Sequence, residues 1–189
     1  MAESKNNIIT HGLSGKVGDI IVFSQRGSKT IVSKAPKERS GAPTEKQKQH
    51  IARFQEAIIY AKTAIKDAAT KAMYEANADP QNNISAYNIA VADMLNAPKI
   101  EEINLSLYTG KKGDSIGIKV IDDFKVATVK VIIENADGTL VEEGNAKIST
   151  NGLDWIYTAT TENTDLAGDK ITIQATDIPD NLTEKEQLL

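Results

Sequence analysis

Apolar positions along the chain follow a two-residue period, then a 3.6-residue period, then a two-residue period again. Residues 19–25 and 29–34 are rich in β-branched side chains and flank Arg26-Gly27-Ser28, a pattern that predicts a β-hairpin. Ahead of it Gly12, Gly15 and Gly18 recur every three residues, which reads as a turn or a close backbone approach and not as a regular element. Residues 36–43 read as a polar linker punctuated by proline and glycine.

Thr44 followed three residues later by Gln47 has the form of a capping box, so a helix is expected to begin there. Ile51, Phe54, Ile58, Ala61, Ile65, Ala68 and Ala72 then recur at three- and four-residue spacing. The stripe predicts one long helix over 45–77, about 50 Å at the usual rise per residue. Residues 79–83 break the pattern. Ile84, Tyr87, Val91, Met94 and Leu95 mark a shorter second helix ending before Pro98, and the two are expected to pair as an antiparallel hairpin.

Beyond Pro98 the period returns to two. Strands are expected around 103–107, 116–120, 129–133, 140–148, 155–157 and 171–173, with a seventh beyond Pro179. Turns fall at residues 110–113, Asp137-Gly138, Asn151-Gly152 and 167–169. The expected class is α+β. Residues 1–98 would form a basic β-hairpin and two-helix module, and residues 99–189 an acidic β-sandwich.

Charge sharpens this division. Residues 1–98 hold 13 Lys and Arg against 9 Asp and Glu, and residues 99–189 hold 9 against 17, within an overall net charge of −4. A chain so polarised can meet nucleic acid at its basic end or another copy of itself head to tail. The nucleic-acid alternative would use Lys16, Arg26, Lys29, Lys34, Lys37 and Arg39 against phosphates.

The absence of cysteine removes disulfides and every thiolate site. The polar N-terminus and the shortness of the apolar run 20–23 argue against a signal peptide or a membrane span, so synthesis is expected in the cytoplasm, with no membrane partner.

Motifs for chemistry mostly fail on their residues. Gly15-Lys16 suggests a phosphate loop, but Thr10 stands where glycine is needed and Val17 where a hydroxyl is needed. His11 and His50 have no evident partners for a metal or nucleophilic triad, so no catalytic residue, metal or cofactor is assigned. The neighbouring carboxylates Asp122-Asp123, Glu142-Glu143 and Glu101-Glu102 would point to opposite faces of a strand. Asp177, Asp180 and Asn181 could ligate calcium, or could simply form a turn through their self-bonding side chains. Trp155, the one tryptophan, reads as a core anchor.

Two resemblances add to this. Residues 128–177, with Ala136-Asp137-Gly138-Thr139, Trp155-Ile156-Tyr157 and Ile173-Gln174-Ala175-Thr176-Asp177, resemble bacterial immunoglobulin-like modules. That family implies a sandwich used as a spacer or binding module, as on adhesins and phage surface proteins. No cysteine pair flanks Trp155, which excludes an antibody-type domain. The N-terminal Gly15-Lys16-Val17-Gly18-Asp19, Arg26-Gly27, Gln47 and Phe54 resemble uncharacterised proteins of Bacteroidota bacteria and their phages, which implies a surface or assembly role, possible in a virion, and assigns no functional residues.

The expected function is therefore a non-enzymatic structural protein, a component of a phage or phage-like particle. It would form a homo-oligomer or larger assembly through Ile20, Ile21, Val22, Phe23, Ile31 and Val32 of the hairpin and Ile51, Phe54, Ile58 and Ile65 of the helix. A hairpin with apolar residues on both faces is marginal alone and has to lean on something. A solitary ligand-binding module is the other alternative.

Overall fold

The computed structural model describes residues 2–4, 8–26, 29–37 and 41–189, with residues 2–4 described by backbone alone. Two compact units divide it, Met1–Val91 and Ala92–Leu189, and the division falls inside a helix. The class is α+β, with three antiparallel four-stranded sheets among the described residues.

In the first unit the hairpin forms from β3 (Ile21–Arg26) and β4 (Lys29–Lys34), paired from Ile21↔Lys34 to Arg26↔Lys29. Residues 27–28 of the expected turn lie outside the described residues, as does Arg39. The hairpin is not isolated. β1 (Ala2–Ser4) adds to β4 and β2 (Gly15–Val17) adds to β3, giving the order β1-β4-β3-β2. The glycine-rich segment thus does contain a regular element, contrary to expectation. Gly12 (φ 79°) and Gly18 (φ 56°) take left-handed conformations in the turns on either side, where a side chain would be strained, and Gly15 opens the strand between them. Asp19 and Ile20, expected in the strand, lie in the tight turn between β2 and β3.

Thr44 caps α1 (Glu45–Ala64) with the full capping box: its hydroxyl accepts from Gln47 N, and its own N–H donates to Gln47 Oε1 at 2.9 Å. The single long helix does not form. α1 ends at Ala64, and α2 (Ala68–Glu75) starts afresh because Asp67 accepts from the backbone N–H of Thr70 and from its hydroxyl, each at 2.8 Å. An aspartate that can cap competes with continuing the helix, and here the cap wins. A 3-10 turn over Pro80–Asn82, capped by Asp79, leads to α3 (Ala86–Leu95). Among the described residues the expected two-helix pair is therefore three helices.

The stripe read along α1 also changes register. The side chains sealed from water are Ala57, Ala61 and, on α2, Tyr74, whose hydroxyl meets that of Tyr60 at 2.9 Å. Ile58 and Ile65 are half-buried, while Ile51 and Phe54 are exposed.

The second unit contains two sheets. One runs β5 (Lys99–Asn104), β6 (Ser115–Ile121), β10 (Asp154–Thr158), β9 (Lys147–Ile148); the other runs β12 (Leu182–Leu188), β11 (Lys170–Asp177), β7 (Val126–Glu134), β8 (Leu140–Asn145). The expected strand over 140–148 is divided between the sheets. Ala146 is buried at the crossing, with its N–H donating to Val129 O at 2.8 Å.

Alternation does the rest. Ile116, Ile118 and Val120 of β6, Val129, Val131 and Ile133 of β7, Trp155 and Tyr157 of β10, and Ile171, Ile173 and Ala175 of β11 turn inward into one cluster shared by both sheets. Fully burying an aliphatic side chain of this kind is worth about 1.5–3 kcal/mol, so this cluster is the main source of the unit's stability. At Gly144 an added Cβ would stand 3.0 Å from the Tyr157 ring, which explains the bare backbone there.

Candidate functional site

Every large apolar core residue in the shared cluster belongs to the second unit. Among the described residues of the first unit, the buried apolar side chains are Ala35, Ala57, Ala61, Tyr74, Ala90 and Val91, four of them alanine. Several of its larger aliphatics are half-buried, Ile21, Val22, Ile31, Val32, Ile58 and Ile65 among them, whereas Ile8 is 96% exposed, Ile9 82%, Ile20 71% and Val17 60%. Ile51, Phe54 and Ile59 continue this on the outside of α1. Isolated exposed apolar residues are ordinary, but here they accompany a set of fully buried apolar side chains that is mostly alanine.

The predicted assembly residues divide accordingly. Ile21, Val22, Phe23, Ile31 and Val32 are half-buried in the sheet, with Phe23 opposite Val32, while Ile20 is displaced into the exposed turn. Ile8, Ile9 and Val17 are the residues the sequence reading missed. They sit outside any periodic run, so no amphipathic pattern marks them.

The basic residues do not gather at one place. Arg26 and Lys29 pair across one end of the hairpin, Lys34 lies at the other end opposite Ile21, and Lys16 is ion-paired with Asp19. Lys37 is exposed beyond the strand. Gly15-Lys16 is extended strand, not a loop opening a helix, and His11 and His50 are both exposed.

A second feature lies wholly within the second unit. Carboxylate oxygens of Asp93, Asp122 and Asp177 lie within 4.8 Å of one another. Asp93 and Asp177 are buried and Asp122 half-buried. Asp177, at the end of β11, accepts from Asn181 N at 2.7 Å on one oxygen and from Asn181 Nδ2 at 2.8 Å on the other. Asn181 Nδ2 also reaches Asp93 O at 3.1 Å, tying the end of α3 to this turn. Asp122 Oδ2 accepts from the N–H groups of Phe124 and Lys125, and its Oδ1 is buried with no hydrogen-bond partner among the described residues. Burial first, and then the charge of Asp122, hold the Asp177 carboxyl above its ordinary range, against the hydrogen bonds from Asn181. Such a donor set can retain a proton or accept a hard cation. Of the calcium candidates read from sequence, Asp177 belongs here and Asn181 serves as its hydrogen-bond donor. Asp180 takes a left-handed turn conformation (φ 66°).

At a third polar site Glu142, buried on β8, accepts from Thr160 N, Thr160 Oγ1 and Thr161 N. The Tyr157 phenol is pushed upward in pKa by burial and by Glu142.

No family model, curated protein or solved structure matches the chain. No helix among the described residues is long and apolar enough to cross a membrane.

Proposed function

We propose that the protein is a non-enzymatic structural component that associates with itself through its first unit, and that the second unit is an immunoglobulin-like module carried by that assembly. One observation carries the reading: the first unit exposes Ile8, Ile9, Val17 and Ile20 while its own interior is mostly alanine. Burying such side chains against another chain releases the free energy that the isolated unit forgoes, at about 25 cal/mol per Å² of apolar surface.

The immunoglobulin-like reading is supported by strand order. Lettered in sequence, β5-β6-β10-β9 is A-B-E-D and β12-β11-β7-β8 is G-F-C-C′, an arrangement found in that fold. Trp155 departs from the antibody pattern, since it lies on the E strand and not on C. A scaffold of this kind presents loops and says nothing by itself of a ligand. Membership of a phage or phage-like particle rests on the N-terminal resemblance and on this modular layout.

Light scattering on the full chain tests the proposal against its nucleic-acid alternative. Association that survives added salt is expected from apolar burial. Retention on DNA that falls log-linearly with salt, from a chain that stays monomeric, would favour phosphate binding by the basic end.

A further inference from the structure

We infer that self-association is head to tail: the apolar turn between β2 and β3 of one copy seats in a groove on the acidic second unit of the next. This rests on the assembly reading above and names its second surface. The groove, of about 430 Å³, is lined by Ile121, Phe124, Ile148, Leu153 and Trp155. Ile148 and Leu153 are each 55% exposed and Ile121 41%, so an apolar floor lies open to water. Asp122 lines the same groove, and Lys125 is its one cation among the described residues.

The occupant is chosen by charge and chemistry together. Residues 92–189 carry 18 Asp and Glu against 9 Lys and Arg; residues 1–91 carry 13 Lys and Arg against 8 Asp and Glu. Within the basic unit the β2–β3 turn is an apolar knuckle, Val17 and Ile20 projecting at 60% and 71% exposure around Gly18. Lys34 stands across from Ile21 at its base, and Lys16 lies beside it, paired with Asp19. A knuckle bearing two branched aliphatics on a basic unit suits an apolar groove on an acidic one, and opposite charge steers the encounter. Two acidic units would repel each other, which disfavours a symmetric pairing of groove with groove. A contact between unlike surfaces does not close on two copies unless its rotation allows, so it propagates into rings or filaments.

Two full-length double variants separate the possibilities. Ile148→Asp with Leu153→Asp blocks the groove, and Val17→Asp with Ile20→Asp blocks the knuckle. All four positions are exposed, so stability should change little; serine at the same positions provides a milder pair. By sedimentation velocity each double variant alone should associate at least tenfold more weakly than the unmodified chain. Their equimolar mixture should yield a complex of two chains and nothing larger, because one intact knuckle and one intact groove remain between them. A groove-blocked variant that assembles as well as the unmodified chain overturns the inference while leaving association through the first unit standing. An unmodified chain that stays monomeric at every concentration overturns both.

Discussion

Glu142 on β8 holds the amide of Thr160 at 2.8 Å and its hydroxyl at 2.6 Å, joining residues 18 apart in sequence. One buried carboxylate thereby satisfies the backbone of the segment that follows β10, and it links the two sheets, since β8 and β10 belong to different ones. Glu142→Ala would strand the Thr160 and Thr161 N–H groups without an acceptor. A loss of about 2–3 kcal/mol is expected, read as a lower urea midpoint with an unchanged slope. A loss below a few tenths would mean that water replaces the carboxylate.

Asp122 stands among three carboxylates and already offers one oxygen to two backbone donors. Asp122→Asn preserves that acceptor and removes one of the clustered charges. The variant should be more stable near neutral pH, because the like charge beside the buried Asp177 carboxyl is gone. Chemical denaturation at pH 7 checks this, and destabilisation would contradict it.

The same cluster sets a pH dependence. The Asp177 carboxyl is raised by burial, so the folded chain holds this proton more tightly than the unfolded chain does. Its stabilising contribution is complete below the unfolded carboxylate value near 3.9 and is lost as pH rises through the folded value. Asp114 shifts the other way, held low by the Thr109 backbone and hydroxyl, so its contribution is present at neutral pH and lost on acidification. Comparing Asp177→Asn and Asp114→Asn across pH 3–7 should flatten the stability profile in opposite senses. Parallel shifts would contradict the assignment.

Ile58 is half-buried beside Ala57 and Ala61, whereas Phe54, one turn earlier, is 45% exposed. Ile58→Asp should therefore destabilise the first unit, by about 2 kcal/mol or more, because the charge enters a partly apolar seam. Phe54→Asp should leave the melting temperature almost unchanged. Equal losses would place both residues on one buried face.

Particular residues show where the sequence was readable. Thr44 and Gln47 mark the start of α1, and the alternation of Val129-Val131-Ile133 and Ile171-Ile173-Ala175 marks the core strands, because each signal is local and repeats within a few residues. Asp67 hid the break in the helix, since the apolar and alanine spacing runs straight through it and propensity alone cannot say whether aspartate will cap. The three-residue β1 and β2 are too short to show any period. Ala146 gives no warning that the strand switches sheets there, its small apolar side chain fitting either reading. The acidic cluster joins Asp93, Asp122 and Asp177 across 84 positions of chain, and only the folded turns bring them together.

Completion of the first unit on another copy of the chain is the proposed basis of assembly. Sedimentation velocity of the full-length protein over a wide concentration range measures this most directly. The account predicts a weight-average mass rising well above the 20.4 kDa of a single chain as concentration increases, and still above it in high salt. A mass fixed at that of one chain up to the highest concentration reached, with Ile8, Ile9, Val17 and Ile20 remaining in water, would contradict it.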